Sequence, residues 1–260
     1  MMKHARHLAA SLAVLVASLA AATPPKPTFR ARRDYPVPLA QYSQVADVNG
    51  DGVPDIIVNG VYVLFGTGNG AFRLGPEIPP QPLEDETYVV AADLAGNGKV
   101  DLIQSGAEFS SGPWGIAVRL GNGDGTFQLA TFYQAGTDID LRGAVAGDFN
   151  GDGILDVAAV GNSGVWLFTG KGGGALNQGV LIPFSGSGAQ AFNWMVAADF
   201  NHDGNLDLAV TTTTGFAVLL GNGNGTFLTA QNYTTPEPPT WIATADINVD
   251  GHPDIAVRRA

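Results

Sequence analysis

The chain has 260 residues, with 13 Lys+Arg against 24 Asp+Glu and a formal net charge of −11. It carries no basic stripe to meet phosphates, which argues against nucleic-acid binding. Cysteine is absent, so disulfides, thiolate catalysis and sulfur-ligated zinc are excluded, and 35 glycines with 16 prolines suit an all-β chain rich in turns.

The N-terminus reads as an export signal. Lys3 and Arg6 form a basic start, residues 8–20 are apolar, and Ala20, Ala21 and Ala22 offer a small-residue cleavage site. The apolar run is shorter than the ~20 residues that span a bilayer. Cleavage is therefore expected near Ala22, giving a secreted or periplasmic protein with no membrane span in its mature form. Residues 23–40 form a proline-rich segment, and 41–260 a repeat domain.

An aspartate-rich nine-residue loop then recurs five times in one frame: DVNGDGVPD (47–55), DLAGNGKVD (93–101), DFNGDGILD (148–156), DFNHDGNLD (199–207) and DINVDGHPD (246–254). Calcium takes six to eight hard oxygen ligands. Side-chain oxygens at positions 1, 3, 5 and 9, with the main-chain carbonyl of position 7, can wrap one such ion. The candidate ligands are Asp47, Asn49, Asp51, Val53 and Asp55 in the first loop; Asp93, Asn97, Lys99 and Asp101 in the second; Asp148, Asn150, Asp152, Ile154 and Asp156 in the third; Asp199, Asn201, Asp203, Asn205 and Asp207 in the fourth; and Asp246, Asn248, Asp250, His252 and Asp254 in the fifth. Position 6 is glycine throughout, as a turn with positive φ requires. Asn-Gly and Asp-Gly also make plain hairpin turns, but hairpin geometry does not ask for carboxylates at both ends. Ala95 and Asn97 strip the second loop of an oxygen and a charge, so four strong calcium sites and one weak site are expected. On charge alone, Asp152→Ala should cost more stability than Asp101→Ala at saturating calcium. More than half of the acidic residues fall in these loops, so the negative charge is mostly metal-ligand charge.

Each loop sits between apolar β-like runs rather than helices, which sets it apart from an EF-hand. A short strand enters it (QVADV, VVAADL, AVAGDF, MVAADF, IATADI) and a second leaves (DIIV, DLIQ, DVAAV, DLAV, DIAV). A third follows, then a glycine-rich turn and an apolar residue opening a fourth (GTGNGAF, GNGDGTF, GKGGGAL, GNGNGTF). These turns lack GxGxxG and GK[ST] and lead into strands, which argues against phosphate binding. Four short strands per repeat of about 50 residues describe a β-propeller of about five four-stranded blades. The first strand is expected to be the buried one beside the axis.

On the loops beginning at Asp47, Asp93, Asp148, Asp199 and Asp246, and the turns beginning at Gly66, Gly121, Gly170 and Gly221, the chain resembles the FG-GAP/VCBS repeat family, the propeller type also found in integrin α-subunits. The resemblance implies a calcium-stapled propeller used in adhesion or in carbohydrate or protein binding, and no catalysis. Seven blades are usual there, whereas five loops are present and the fifth unit has two strands. Two explanations stand: Thr28 to Tyr35 supply a strand that closes a small ring, or the chain is an open arc, part of a larger ring or a truncated product.

Five residues before each loop, where strand one starts, stand Tyr42, Tyr88, Gly143, Trp194 and Trp241. In the family this end lies opposite the calcium loops. It adjoins the most variable segments: 79–87, 106–115, 136–142, 185–193 and 234–240. Aromatic side chains at a channel mouth are platforms for sugars or peptides; they are also ordinary packing between blades. Tyr42, Tyr88, Trp194 and Trp241, with Trp114 and Arg142 nearby, are the candidate ligand-binding residues, for an extracellular glycan or protein. No nucleophile–base set can be assembled. The runner-up is a polysaccharide-active enzyme using acids among Glu84, Asp85, Glu86, Glu108, Asp138 and Asp140.

Overall fold

The computed structural model describes residues 34–37, 42–60, 62–78, 84–107, 113–136, 141–184 and 194–259. The signal segment, most of the proline-rich segment and much of the variable loops lie outside them. The described chain is all β, with strands leaving each aspartate loop as apolar and β-branched residues favour.

The first sheet is β1 (Ser43–Ala46), β2 (Asp55–Val58), β3 (Tyr62–Gly66) and β4 (Phe72–Glu77), antiparallel and in chain order from the inside out. The second repeats this with β5 (Glu84–Ala92), β6 (Asp101–Ala107), β7 (Trp114–Arg119) and β8 (Thr131–Gln134). The third holds β9 (Ala144–Gly147), β10 (Asp156–Gly161) and β11 (Gly164–Phe168). A small hairpin of β12 (Gly170–Gly172) and β13 (Ala175–Leu176) precedes its outer strand β14 (Val180–Ile182). The fourth holds β15 (Met195–Ala198), β16 (Asp207–Thr212), β17 (Gly215–Leu219) and β18 (Gln231–Thr234). The fifth has two strands, β19 (Pro239–Ala245) and β20 (Asp254–Arg259). The inner strands adjoin in the order β1, β5, β9, β15, β19, the arrangement of successive propeller blades.

Apolar side chains lie in layers between neighbouring blades. Phe65 and Ile57 meet Val89 and Leu102 between the first and second. Ile103 and Ile116 meet Trp166 and Phe168 between the second and third. Val160 and Leu167 meet Leu208 and Leu219 between the third and fourth. Each blade thus buries its faces only against its neighbours, as stacked repeats do.

Two expectations change. Strand one is not the most buried strand: Val45 in β1 is 56% exposed, while β10 and β11 are buried throughout. Small residues at the axis fill little space, and among the described residues no blade covers the outer face of β1, so the core belongs to strands two and three. The fourth strand also starts late in blades two and four. Phe127 and Phe227 make isolated bridges to Gly121 and Gly221, and pairing resumes only at Thr131 and Gln231. In blade three the β12–β13 hairpin intervenes. Of the segment offered as a closing strand, Thr28 to Arg33 lie outside the described residues. Tyr35 packs on the first sheet instead, edge-on to Phe72 with ring centroids 5.7 Å apart, its hydroxyl accepting the Phe72 amide.

Candidate functional site

All five loops fall between the first and second strands of a blade, and their side chains fold them from within. In the third loop, Asp148 accepts the amides of Gly151 (2.7 Å), Asp152 (3.2 Å) and Gly153 (2.8 Å). Asn150 accepts the Asp152 amide at 2.9 Å and donates its own amide to Asp152 at 3.0 Å, while Asp152 accepts the Ile154 amide at 2.8 Å. The bonds of the position-5, -6 and -7 amides recur on Asp47, Asn49 and Asp51, on Asp199, Asn201 and Asp203, and on Asp246, Asn248 and Asp250; the position-4 amide joins them in the first loop, and the Asn-to-Asp side-chain bond in the fourth and fifth. Short polar side chains capture nearby amides in this way wherever the backbone leaves helix and sheet. The second loop keeps the bonds of Asp93 and Asn97 but has only a methyl at Ala95.

Position 9 has a second role that spacing did not reveal. Asp55, Asp101, Asp156 and Asp207 are fully buried. One carboxylate oxygen of each accepts an amide near the loop's start, from Val48, Ala95, Phe149 and Phe200. The other accepts the amide of the glycine that follows strand three or ends it: Gly66, Gly121, Gly170 and Gly221, at 2.7–2.8 Å. That residue must be glycine, because a Cβ there would stand 2.1–2.5 Å from the position-8 carbonyl in all four of these blades. Burial pushes the Asp101, Asp156 and Asp207 carboxyls above the usual range, partly offset by these amide bonds. The exposed Asp203 and Asp250 are held below it, chiefly by the amides they accept.

Position 4 was also missed. Its φ is positive in every copy: Gly50 +74°, Gly96 +69°, Gly151 +76°, His202 +59° and Val249 +61°. Glycine in three of five copies was the available signal. A β-branched Val249 in this region is strained.

The loops are also clamped from the next blade. The second blade's turn donates the Gly125 amide to the Val48 carbonyl at 3.0 Å, and the fourth blade's turn donates Gly225 to Phe149 at 2.9 Å. Between the last two loops the contact is instead His202 against His252, perpendicular rings 4.3 Å apart.

The donor set fits a hard cation: oxygens only, from carboxylates, Asn side chains and main-chain carbonyls. Among the described residues, however, no three His, Cys, Asp or Glu side chains converge into a metal-holding group. Each loop's shape rests on its own amide bonds.

At the opposite end of strand one, three of the candidate aromatics meet. Tyr88 and Trp194 are edge-to-face at 5.0 Å, Tyr42 and Tyr88 at 6.0 Å, and Tyr42 and Trp194 tilted at 5.8 Å. They come from blades one, two and four and converge at the axis, where burial raises the Tyr88 hydroxyl above its usual pKa. Trp241, the equivalent residue of blade five, is 39% exposed. Gly143 brings no side chain. Trp114 packs against the layer between blades two and three, and Arg142 is exposed while its amide and carbonyl are bonded to Val160 and Ser105. The acids considered for catalysis have side chains outside the described residues. No described helix is long and apolar enough to cross a membrane.

Stacked four-stranded blades, each with an aspartate loop between its first two strands and glycine-closed hairpins outside, define a propeller-type repeat protein. The FG-GAP-like repeat matches at residues 47–103, 109–159, 148–210 and 199–257, and the chain belongs to that family. No curated protein matches it. Among solved structures it is similar to an Agrocybe aegerita lectin described as recognising non-reducing terminal N-acetylglucosamine, with 22% identity over 83% of this chain and 74% of that one and a TM-score of 0.46. A Photorhabdus luminescens Tc holotoxin pore is 21% identical over 85% of this chain and 11% of that one, with a TM-score of 0.49. The V. cholerae biofilm matrix protein is 19% identical over 84% of this chain and 35% of that one, with a TM-score of 0.44.

Proposed function

We propose that the protein is an exported, calcium-stapled propeller that binds an extracellular glycan or protein without turning it over. The observation carrying the binding role is the convergence of Tyr42, Tyr88 and Trp194 on the axis, with Trp241 exposed at the same register, on the end of the blades away from the loops. The trio forms a rigid aromatic floor and Trp241 an open face beside it, a surface on which a sugar ring or an apolar side chain can stack. Calcium would be held by the oxygens at positions 1, 3, 5, 7 and 9, and in the second loop, where Ala95 offers none, by those at positions 1, 5, 7 and 9. Bound, it would neutralise carboxylates whose charge the loop otherwise balances only with amide dipoles.

A glycan and peptide array tests the binding role. Trp241→Ala should leave the melting curve nearly unchanged and lose binding to whichever probe the parent protein retains. Trp194→Ala should destabilise, because it removes a ring shared by two aromatic contacts. Undiminished binding by a folded Trp241→Ala protein would overturn the assignment. Chelation of calcium-loaded protein should lower its melting temperature, and added calcium should restore it, since a ligand held by the native state alone stabilises it. An unchanged curve would remove calcium from the account.

A further inference from the structure

The loops of the fourth and fifth blades meet through two imidazoles. His202 stands at position 4 of the loop between β15 and β16, and His252 at position 7 of the loop between β19 and β20. Their rings are perpendicular with centroids 4.3 Å apart, and both residues are exposed.

Two local features bring them together. Position 4 turns at positive φ, +59° at His202, a conformation that residues other than glycine seldom adopt. Glycine fills it in the first three loops and has no side chain to project toward the next blade. At position 7 the side chain otherwise lies over the glycine turn of its own blade. A Cβ on Gly66, Gly123, Gly170 or Gly223 would stand 2.1–3.2 Å from the side chain of Val53, Lys99, Ile154 or Asn205. His252 instead reaches the preceding blade.

The chemistry of the pair differs from that of the loops around it. Calcium takes oxygen ligands, whereas imidazole suits copper, nickel and zinc and is the commonest side chain on such ions. Metal–imidazole bonds are about 2.0–2.1 Å long. Rings this close need only a rotamer change, fast in exposed side chains, to set one nitrogen each on a single ion. Asp250 adds negative charge nearby: its carboxyl is held low chiefly by the His252 amide and Asn248, and further by both imidazoles.

We propose that His202 and His252 form a two-imidazole site for a divalent cation of the copper, nickel or zinc class, tying the fourth blade to the fifth. No third His, Cys, Asp or Glu side chain among the described residues joins them, so water completes the shell. The site is independent of the aromatic face and of whether the loops hold calcium.

The test uses the full chain carrying His4→Gln and His7→Gln, which leaves these two as its only imidazoles. It is titrated with Ni2+ by calorimetry in excess calcium, which competes for the loop oxygens. One ion is expected per chain. His202→Gly and His252→Asn each introduce a residue that the same position holds in another loop. Each should weaken binding about tenfold or more by removing one of two nitrogen donors. Ni2+ should also raise the melting temperature of the parent and leave that of the double variant unchanged, because an ion shared by two loops is held only by the folded state. Absence of saturable binding up to about 1 mM Ni2+ overturns the proposal. So does equal binding by the double variant, or calcium released in step with nickel uptake, since either would put the ion on the loop oxygens.

Discussion

The second and third loops trace one path with different donors. Both place glycine at positions 4 and 6, both wrap amides onto a leading aspartate, and both end on a buried aspartate that holds the start of the loop and the end of strand three. The third adds Asn150 and Asp152 bonded to each other, where the second has Ala95 and Asn97. Because the second loop keeps its shape without a full donor set, fold and ligation separate within one motif: positions 1, 4, 6 and 9 build the loop, while position 3 supplies a neutral oxygen and position 5 the added charge that a cation would use.

The sharpest way to break this division is at position 9. Asp156→Ala and Asp101→Ala should each cost about 3–5 kcal/mol, since both strand buried amides, and the cost should persist in excess chelator; denaturant unfolding reads it. The charge-count ranking of Asp152 above Asp101 is thereby replaced, because Asp101 is a structural bolt whatever it ligates. Next in size, Gly221→Ala should cost about 1–3 kcal/mol by forcing a Cβ onto the Leu206 carbonyl at 2.2 Å.

Asp152→Ala should cost under about 1 kcal/mol in chelator, as an exposed residue away from the core does, and more once calcium is added. Equal losses in both conditions would place the role of position 5 in the loop's shape. Val249→Gly should gain about 1 kcal/mol by relieving a β-branched residue at positive φ. The smallest effect is expected from Ala95→Asn, which restores the missing oxygen; calorimetric titration should show the weakest calcium site strengthened with little change in chelator stability.

Much of this was legible in the chain. The repeat frame, the strand order and the place of each loop follow from aspartate spacing and apolar runs, because each blade's pairing is local in sequence. What spacing could not show is what faces what. The tie from Asp156 to Gly170 and the clamp from Gly225 to Phe149 depend on how blades stack. The meeting of Tyr42 with Trp194 depends on how far the arc curls. Strand one was misjudged because its alanines look like core residues, yet they border an axis too sparsely filled to exclude solvent.

The clamp between a loop and the following blade also sets an order in time. Val48 is met by Gly125, and Phe149 by Gly225, so a nascent chain emerging N-terminus first can pair the strands of a blade before it can seat that blade's loop. Seating waits until the next hairpin has been made. Most pairing is between neighbours in sequence, which favours fast closure of each unit, but completion of the first and third loops runs one blade behind synthesis.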